Sequence, residues 1–127
     1  HDYGHFILDD PEELVKKNKD GKHEDVGYEY LKKFFKREVV EPIKHHVLAK
    51  RYLARDKKYY NRLSEASMVS LKLQGGLLSS KDAKSFEKEE FFKDSIKLRK
   101  FDEVAKKEGI KIKDIIDYKD LLKASLK

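Results

Sequence analysis

The sequence predicts an all-α domain, and three observations carry that expectation. Apolar residues recur at intervals of three and four in several segments. Those segments are punctuated by helix caps and stops, namely Pro42, Ser64, Gly75-Gly76, Ser80 and Gly109. No stretch alternates with period two for long enough to make a strand. At 127 residues the chain forms one domain, with a core that is real but not large. The expected architecture is a bundle of about six to seven helices of moderate length.

Residues 1–5 read as the end of a helix whose earlier turns lie upstream. Residues 6–22 carry Asp, Pro, Asn and Gly and read mainly as loop. A helix is expected from about 24 to 36, with Val26, Tyr30, Leu31 and Phe34 as its buried stripe. Pro42 is placed at the start of the next helix, where its missing N–H costs nothing. That helix runs to about 54, with Ile43, Val47, Ala49 and Tyr52-Leu53 apolar. Residues 56–63 make a short helix or turn. Ser64 caps a helix over 65–73, which Gly75-Gly76 stops. Ser80 caps a short helix through Phe86. A long amphipathic helix over about 91–107 uses Ile96, Leu98, Phe101 and Val104-Ala105, and Gly109 ends it. Asp114 opens a last helix through Leu121-Leu122.

Composition narrows the function. Charged residues are 43% and hydrophobic ones 39%, and no apolar run is long enough to span a bilayer. No signal-peptide pattern opens the chain. The absence of cysteine fits a reducing cytoplasm. The net charge of +6 comes from 25 Lys and 5 Arg against 24 acids. The lysines are spread along the chain and Arg is scarce, so a solvated surface is favoured over a nucleic-acid interface. The first residue is His rather than Met, so the chain is expected to be a piece of a longer protein.

Chemistry concentrates in histidines and carboxylates. The run His1-Asp2-Tyr3-Gly4-His5 is followed by His23-Glu24, His45-His46 and Asp102. Imidazole and carboxylate without thiolate suit a hard or borderline divalent metal such as iron, manganese or magnesium. In an adjacent His-Asp pair the nitrogen binds one ion while the neighbouring carboxylate bridges to a second. His45 and His46 point about 100° apart on a helix, so only one of them faces a given site. Lys50 lies one turn beyond His46 and would bring an anion beside the metal. Ser67 and Ser70 share a face. They either donate to phosphate-like oxygens or simply let helices approach. Asp102, on a face read as apolar, is either metal-bound or paired with Arg99 three residues before it.

Five segments together carry a resemblance: HDYGH at 1–5, KHEDVGYEYL at 22–31, VVEPIKHHVLAKRYL at 39–53, LSEASMVSLKLQGG at 63–76 and LRKFDEVAK at 98–106. They resemble the HD-domain superfamily and, within it, the PhnZ-like oxygenase branch of glycine-forming 2-amino-1-hydroxyethylphosphonate dioxygenases. The resemblance implies a single partial, N-terminally truncated HD domain over 1–127. It implies a mixed-valent Fe(II)/Fe(III) pair, with Asp2 bridging, His1 and Asp102 on one iron, and His23 and His46 on the other. His5, Lys50, Ser67, Ser70 and Arg99 would line the phosphonate pocket, with Lys50 and His5 catalytic. The implied reaction uses O2 to break a carbon–phosphorus bond, releasing phosphate and a carboxylic acid such as glycine. The implied partners are a small phosphonate and O2, with no nucleic acid and no membrane. In that branch a further histidine ligand and lid residues precede the His-Asp pair, where this chain begins.

Two other readings compete. An HD-domain phosphohydrolase would use the same ligands to activate water against a phosphate ester. A non-catalytic basic helical binding module would leave His and Asp unclustered.

Overall fold

A computed structural model describes residues 1–8 and 20–127. Most of the segment expected as loop, residues 9–19, lies outside the described residues. The described chain is all-helical, as expected. In order come α1 (Gly4–Ile7), α2 (His23–Leu31), α3 (Arg37–Leu53), α4 (Lys57–Arg62), α5 (Glu65–Leu73), α6 (Ser80–Glu87), α7 (Phe92–Ala105), a 3-10 turn (Ile115–Tyr118) and α8 (Lys119–Ser125). The only β-type contact among the described residues is an isolated bridge between Phe35 and Leu126.

The long helix α3 is the axis of the domain. It packs on α7 and α2, and α2 in turn packs on α1. One side of α3 meets an apolar cluster. Ala49, Leu78, Ala83 and Phe86 are buried there, with Leu48, Tyr52, Phe92 and Ile96 packed around them. The Phe86 and Phe92 rings meet edge to face at 5.0 Å, the arrangement the ring quadrupoles favour. His46 and Lys50, also buried on α3, sit across the helix from Leu48 and Tyr52 and face the polar side. Burial of apolar surface on one side thus holds the frame that carries chemistry on the other.

Local signals fix most boundaries. The Asp56 side chain accepts the Tyr59 N–H, and the Ser64 side chain accepts the Ser67 N–H, each satisfying an orphan donor of a first turn. The cap of α6 is Ser79, which accepts from Asp82 N, one residue before the expected Ser80. Asp114 caps a 3-10 turn through a capping box with Asp117. The last helix therefore begins later, at Lys119.

Three expectations are corrected. Pro42 lies inside α3 rather than at its start. The first turn begins five residues earlier, after Lys36 in an extended conformation, so Pro42 omits one hydrogen bond in the second turn. Second, α2 stops at Leu31, and its buried residues are His23 and Gly27, whereas Tyr30 and Phe34 are exposed. The reason is close approach. A Cβ on Gly4 would overlap the His23 carbonyl oxygen, and one on Gly27 would lie 3.1 Å from Gly4 N. Glycine, not hydrophobicity, chose the contact face. Third, α7 buries Ser95, Arg99 and Asp102 and leaves Phe101 63% exposed. Asp102 therefore shares its face with polar partners, not with the apolar residues expected.

Candidate metal and anion site

Four elements bring the histidines and carboxylates together. His1 and Asp2 precede α1, His23 is the first residue of α2, His46 lies in mid-α3, and Asp102 is on α7. His1 Nε2 lies 3.1 Å from Asp2 Oδ2 and 3.2 Å from Asp102 Oδ1. Asp2 Oδ1 is 3.5 Å from His23 Nε2 and 3.8 Å from His46 Nε2. Two trios of donor atoms, His1–Asp2–His46 and Asp2–His5–His23, lie each within 4.8 Å. They share Asp2. His5 stacks on His23 with ring centroids 3.9 Å apart, which brings it nearer to His23 than a role in the pocket lining alone requires. His45 turns away and bonds to the Glu41 carbonyl at 2.8 Å.

Tautomer and charge follow from these contacts. His46 Nδ1 is 2.6 Å from the Ile43 carbonyl oxygen, which can only accept, so Nδ1 carries the proton and Nε2 presents a lone pair to Asp2. Such an outer hydrogen bond fixes a ligating imidazole. Burial, then the His23 and His1 charges, lowers His46 to about 4. His5 is lowered by burial and by His23. The carboxylates of Asp102 and Asp2 raise His1 to about 9. Burial is the largest single influence on both carboxylates and works to raise them, yet the combined pull of His1 and the other neighbouring groups outweighs it. Asp2 is held well below the ordinary carboxylate range, with help from His23. Asp102 falls to about 2, with help from Lys106 and Arg99.

His1 Nε2 is buried without a hydrogen bond of acceptable geometry among the described residues, although two carboxylate oxygens stand at ion-pair distance. Imidazole nitrogens and carboxylate oxygens thus converge around Asp2, each within 4 Å of a neighbour. This nitrogen-and-oxygen donor set fits divalent ions such as iron or manganese.

Beside the donors opens a cavity of about 210 Å³ lined by nine of the ten expected site residues, all but His1. Its cations are Lys50, Arg99 and Lys106. Lys50 Nζ donates to Ser70 Oγ at 2.6 Å and to Gln74 Oε1 at 2.9 Å. Ser70 donates its own O–H to the Ser67 carbonyl at 3.1 Å, so it supports Lys50 instead of offering a donor to the cavity. Burial, then Arg99 and Lys106, lowers Lys50 to about 8. Arg99 bonds Asp102 through Nη1 at 2.7 Å, and its Nε faces Tyr59 Oη and Glu103 Oε1, each at 3.2 Å. Its Nη2 is buried without a partner among the described residues. Asp102 pairs with Arg99 and also stands 3.2 Å from His1 Nε2, so the ion pair does not take it out of the donor cluster.

Sequence reasoning missed several members. Gln74 lies in a segment that carries the resemblance, but no role was assigned to it. Its spacing of four from Ser70 was the available signal. Lys106 follows Asp102 by four and contacts it at 3.3 Å. Tyr59, which donates to Glu103 and takes a bond from Arg99, gave no local signal. Glu24 lies with Oε2 3.5 Å from His23 Nδ1, and burial raises its pKa.

The structure thus defines an all-helical bundle with a His/Asp cluster able to hold metal ions next to a cationic cavity. No protein-family model matches the chain. The chain is 42% identical over 120 residues, 93% of its length, to the hydroxymethylphosphonate dioxygenase of Gimesia maris, of which 60% is covered. It is 40% identical over 115 residues, 90% of its length, to the glycine-betaine-forming [1-hydroxy-2-(trimethylamino)ethyl]phosphonate dioxygenase of Leisingera caerulea, of which 59% is covered. The chain therefore spans about three fifths of the length of these curated relatives.

Proposed function

We propose that this chain is the metal- and anion-binding part of a PhnZ-like, HD-domain dioxygenase that cleaves the carbon–phosphorus bond of a 1-hydroxyphosphonate. One observation carries the reading: Asp2 stands among His1, His23 and His46, with Asp102 beside His1, at the edge of a cavity that holds Lys50 and Arg99. The names of the two relatives supply the reaction class. A phosphohydrolase would use the same donors, but neither relative is named as one.

In this reading Asp2, His1 and Asp102 would hold one iron ion, and Asp2, His23 and His46 would hold a second. A mixed-valent Fe(II)/Fe(III) pair held there would supply the redox chemistry by which O2 is used. The overall reaction balances without a further reductant. R–CH(OH)–PO3 as the dianion and O2 give a carboxylate, hydrogen phosphate and one proton. The substrate is 2-amino-1-hydroxyethylphosphonate or a close analogue, with glycine the product in the first case.

The chain's own residues bind and orient. Lys50 and Arg99 neutralise the phosphonate through charge-assisted hydrogen bonds. The unpartnered Nη2 of Arg99 supplies one such donor, and Ser67 borders the same oxygens. His5, kept neutral by burial and by His23, accepts the proton that the substrate hydroxyl sheds.

The test is to load the protein with iron anaerobically and to measure phosphate release from hydroxymethylphosphonate and from 2-amino-1-hydroxyethylphosphonate, with and without O2. O2-dependent release supports the reading. Hydrolysis of a phosphate ester without O2, and no release from either phosphonate, overturns it in favour of a phosphohydrolase.

A further inference from the structure

We propose that Arg51 and the Gln74-Gly75-Gly76 turn form a clamp that positions the Lys50 ammonium toward the cavity. The proposal rests on the assignment of Lys50 as a phosphonate ligand made above. Gln74 and Arg51 are positioning residues that act through Lys50.

Lys50 and Arg51 are neighbours on α3. Both reach across to the end of α5, but to different parts of it. Lys50 bonds the side chains of Ser70 and Gln74. Arg51 bonds the main chain just beyond, through Nε to Gly76 O at 2.9 Å and through Nη2 to Gly75 O at 3.3 Å. Leu78 N returns a bond to Arg51 O at 3.4 Å. These contacts tie the turn to α3. Gly75 and Gly76 have φ of +107° and +71°, a region that favours glycine. A Cβ at Gly75 would meet the Arg51 guanidinium at 3.0 Å. The two glycines therefore let the chain turn back and let Arg51 close on it. Gln74 is the C-cap of α5, so its side chain is placed by that turn.

The chemistry of the acceptors gives the clamp its purpose. An ammonium has three donors. Two are taken by a hydroxyl and an amide oxygen, both neutral, and the third is left for the cavity. Neutral acceptors fix direction without cancelling charge, so the full positive charge stays available to an anion. A carboxylate at position 74 would hold Lys50 equally well and neutralise it. The charged groups around Lys50 are Arg99 and Lys106 from α7 and the residue after it, Asp102 on α7, and Asp20 before α2. Asp102 is engaged by His1, Arg99 and Lys106.

The experiment uses the full, iron-loaded chain with hydroxymethylphosphonate as the probe, and compares Gln74→Leu, Gln74→Glu, Arg51→Met and Lys50→Ala with the parent. Binding is followed calorimetrically from pH 6.5 to 9.5, and iron content is measured alongside. Gln74→Leu should weaken binding by about tenfold, the loss of one hydrogen bond to a charged group, and move the alkaline limb to lower pH. Gln74→Glu should weaken binding too but move the limb to higher pH, because the carboxylate stabilises the ammonium. Opposite shifts are what a merely structural role cannot give. Arg51→Met should follow Gln74→Leu with unchanged iron. If Lys50→Ala leaves affinity unchanged, the assignment of Lys50 falls and the clamp with it. If Lys50→Ala weakens binding while both Gln74 variants keep parental affinity and limb, the assignment stands and the clamp is overturned.

Discussion

The Nε2 atoms of His23 and His46 lie 2.9 Å apart, although α2 and α3 deliver them from different directions. Since His46 Nδ1 is committed to the Ile43 carbonyl, its Nε2 presents a lone pair to that contact. Two imidazole nitrogens and a shared carboxylate oxygen make a pocket for a cation. His46→Ala should therefore lose at least one metal ion per chain, while His45→Ala, whose ring bonds Glu41 O, should keep its full complement. Metal analysis after anaerobic loading and desalting measures both. Equal iron in the two variants would remove His46 from the ligand set.

Helix starts and stops were readable because Asp56, Ser64 and Gly75 act on their own neighbours within three or four residues. Which face each helix buries was not. In α2 and α7 the buried positions are His23, Gly27, Ser95, Arg99 and Asp102, whereas hydropathy pointed to Phe34 and Phe101, which are exposed. Small residues that permit close approach, and polar ones paired across the bundle, defeat any pattern based on apolar spacing. Pro42 misled for a related reason: one missing hydrogen bond inside a 17-residue helix is outweighed by the burial of Val40, Ile43 and Val47 around it. The candidate site owed more to residue type and to resemblance than to spacing. His1, His23 and Asp102 are separated by whole helices, and Gln74, Tyr59 and Lys106 join it only through the fold.

The contact between Gly4 and α2 is the next point of leverage. Gly4→Ala would drive a methyl group into the His23 carbonyl, and the backbone must separate to admit it. Overpacking of this kind costs about 1–3 kcal/mol. Gly27→Ala, whose new Cβ would stand 3.1 Å from Gly4 N, should cost less. Urea denaturation of the metal-free protein gives the order from the midpoints. Metal affinity should fall with stability in Gly4→Ala, because α1 carries His1 and Asp2 on its leading end. Wild-type stability in that variant would show that α1 does not dock as described.

As the proposed phosphonate ligand, Lys50 should set an alkaline limit on anion binding. Burial and the neighbouring Arg99 and Lys106 lower it to about 8, so the ammonium is complete below that pH and lost above it. Affinity for a phosphonate should hold to about pH 8 and then fall by about tenfold per pH unit, as the protonated fraction does. Lys50→Arg keeps its charge throughout, so it should flatten this limb even if affinity is lower overall. Titration of binding against pH for the two proteins makes the comparison. An identical limb in Lys50→Arg would assign the ionisation to another group.

The last prediction joins His1 to metal uptake. In the metal-free protein Asp102 and then Asp2 raise His1 to about 9, so its imidazole is protonated at pH 7. Its folded pKa lies above the ordinary value. The pairing with Asp102 therefore stabilises the metal-free fold fully below pH 6.5 and ceases to do so as pH rises through about 9. Asp102 itself, lowered to about 2, contributes stability above the ordinary carboxylate pKa and loses it only as pH falls through about 2. A metal ion needs the lone pair that the proton occupies, so binding must expel it. Below about pH 9, uptake should release close to one proton from His1, and affinity should rise by about tenfold per pH unit between pH 6.5 and 9. Calorimetry of Mn(II) or anaerobic Fe(II) binding in buffers of different ionisation enthalpy counts the protons. His1→Gln should bind more weakly but without this proton, leaving a flatter dependence on pH. Parental proton release from His1→Gln would place the displaced proton elsewhere and take His1 out of the ligand set.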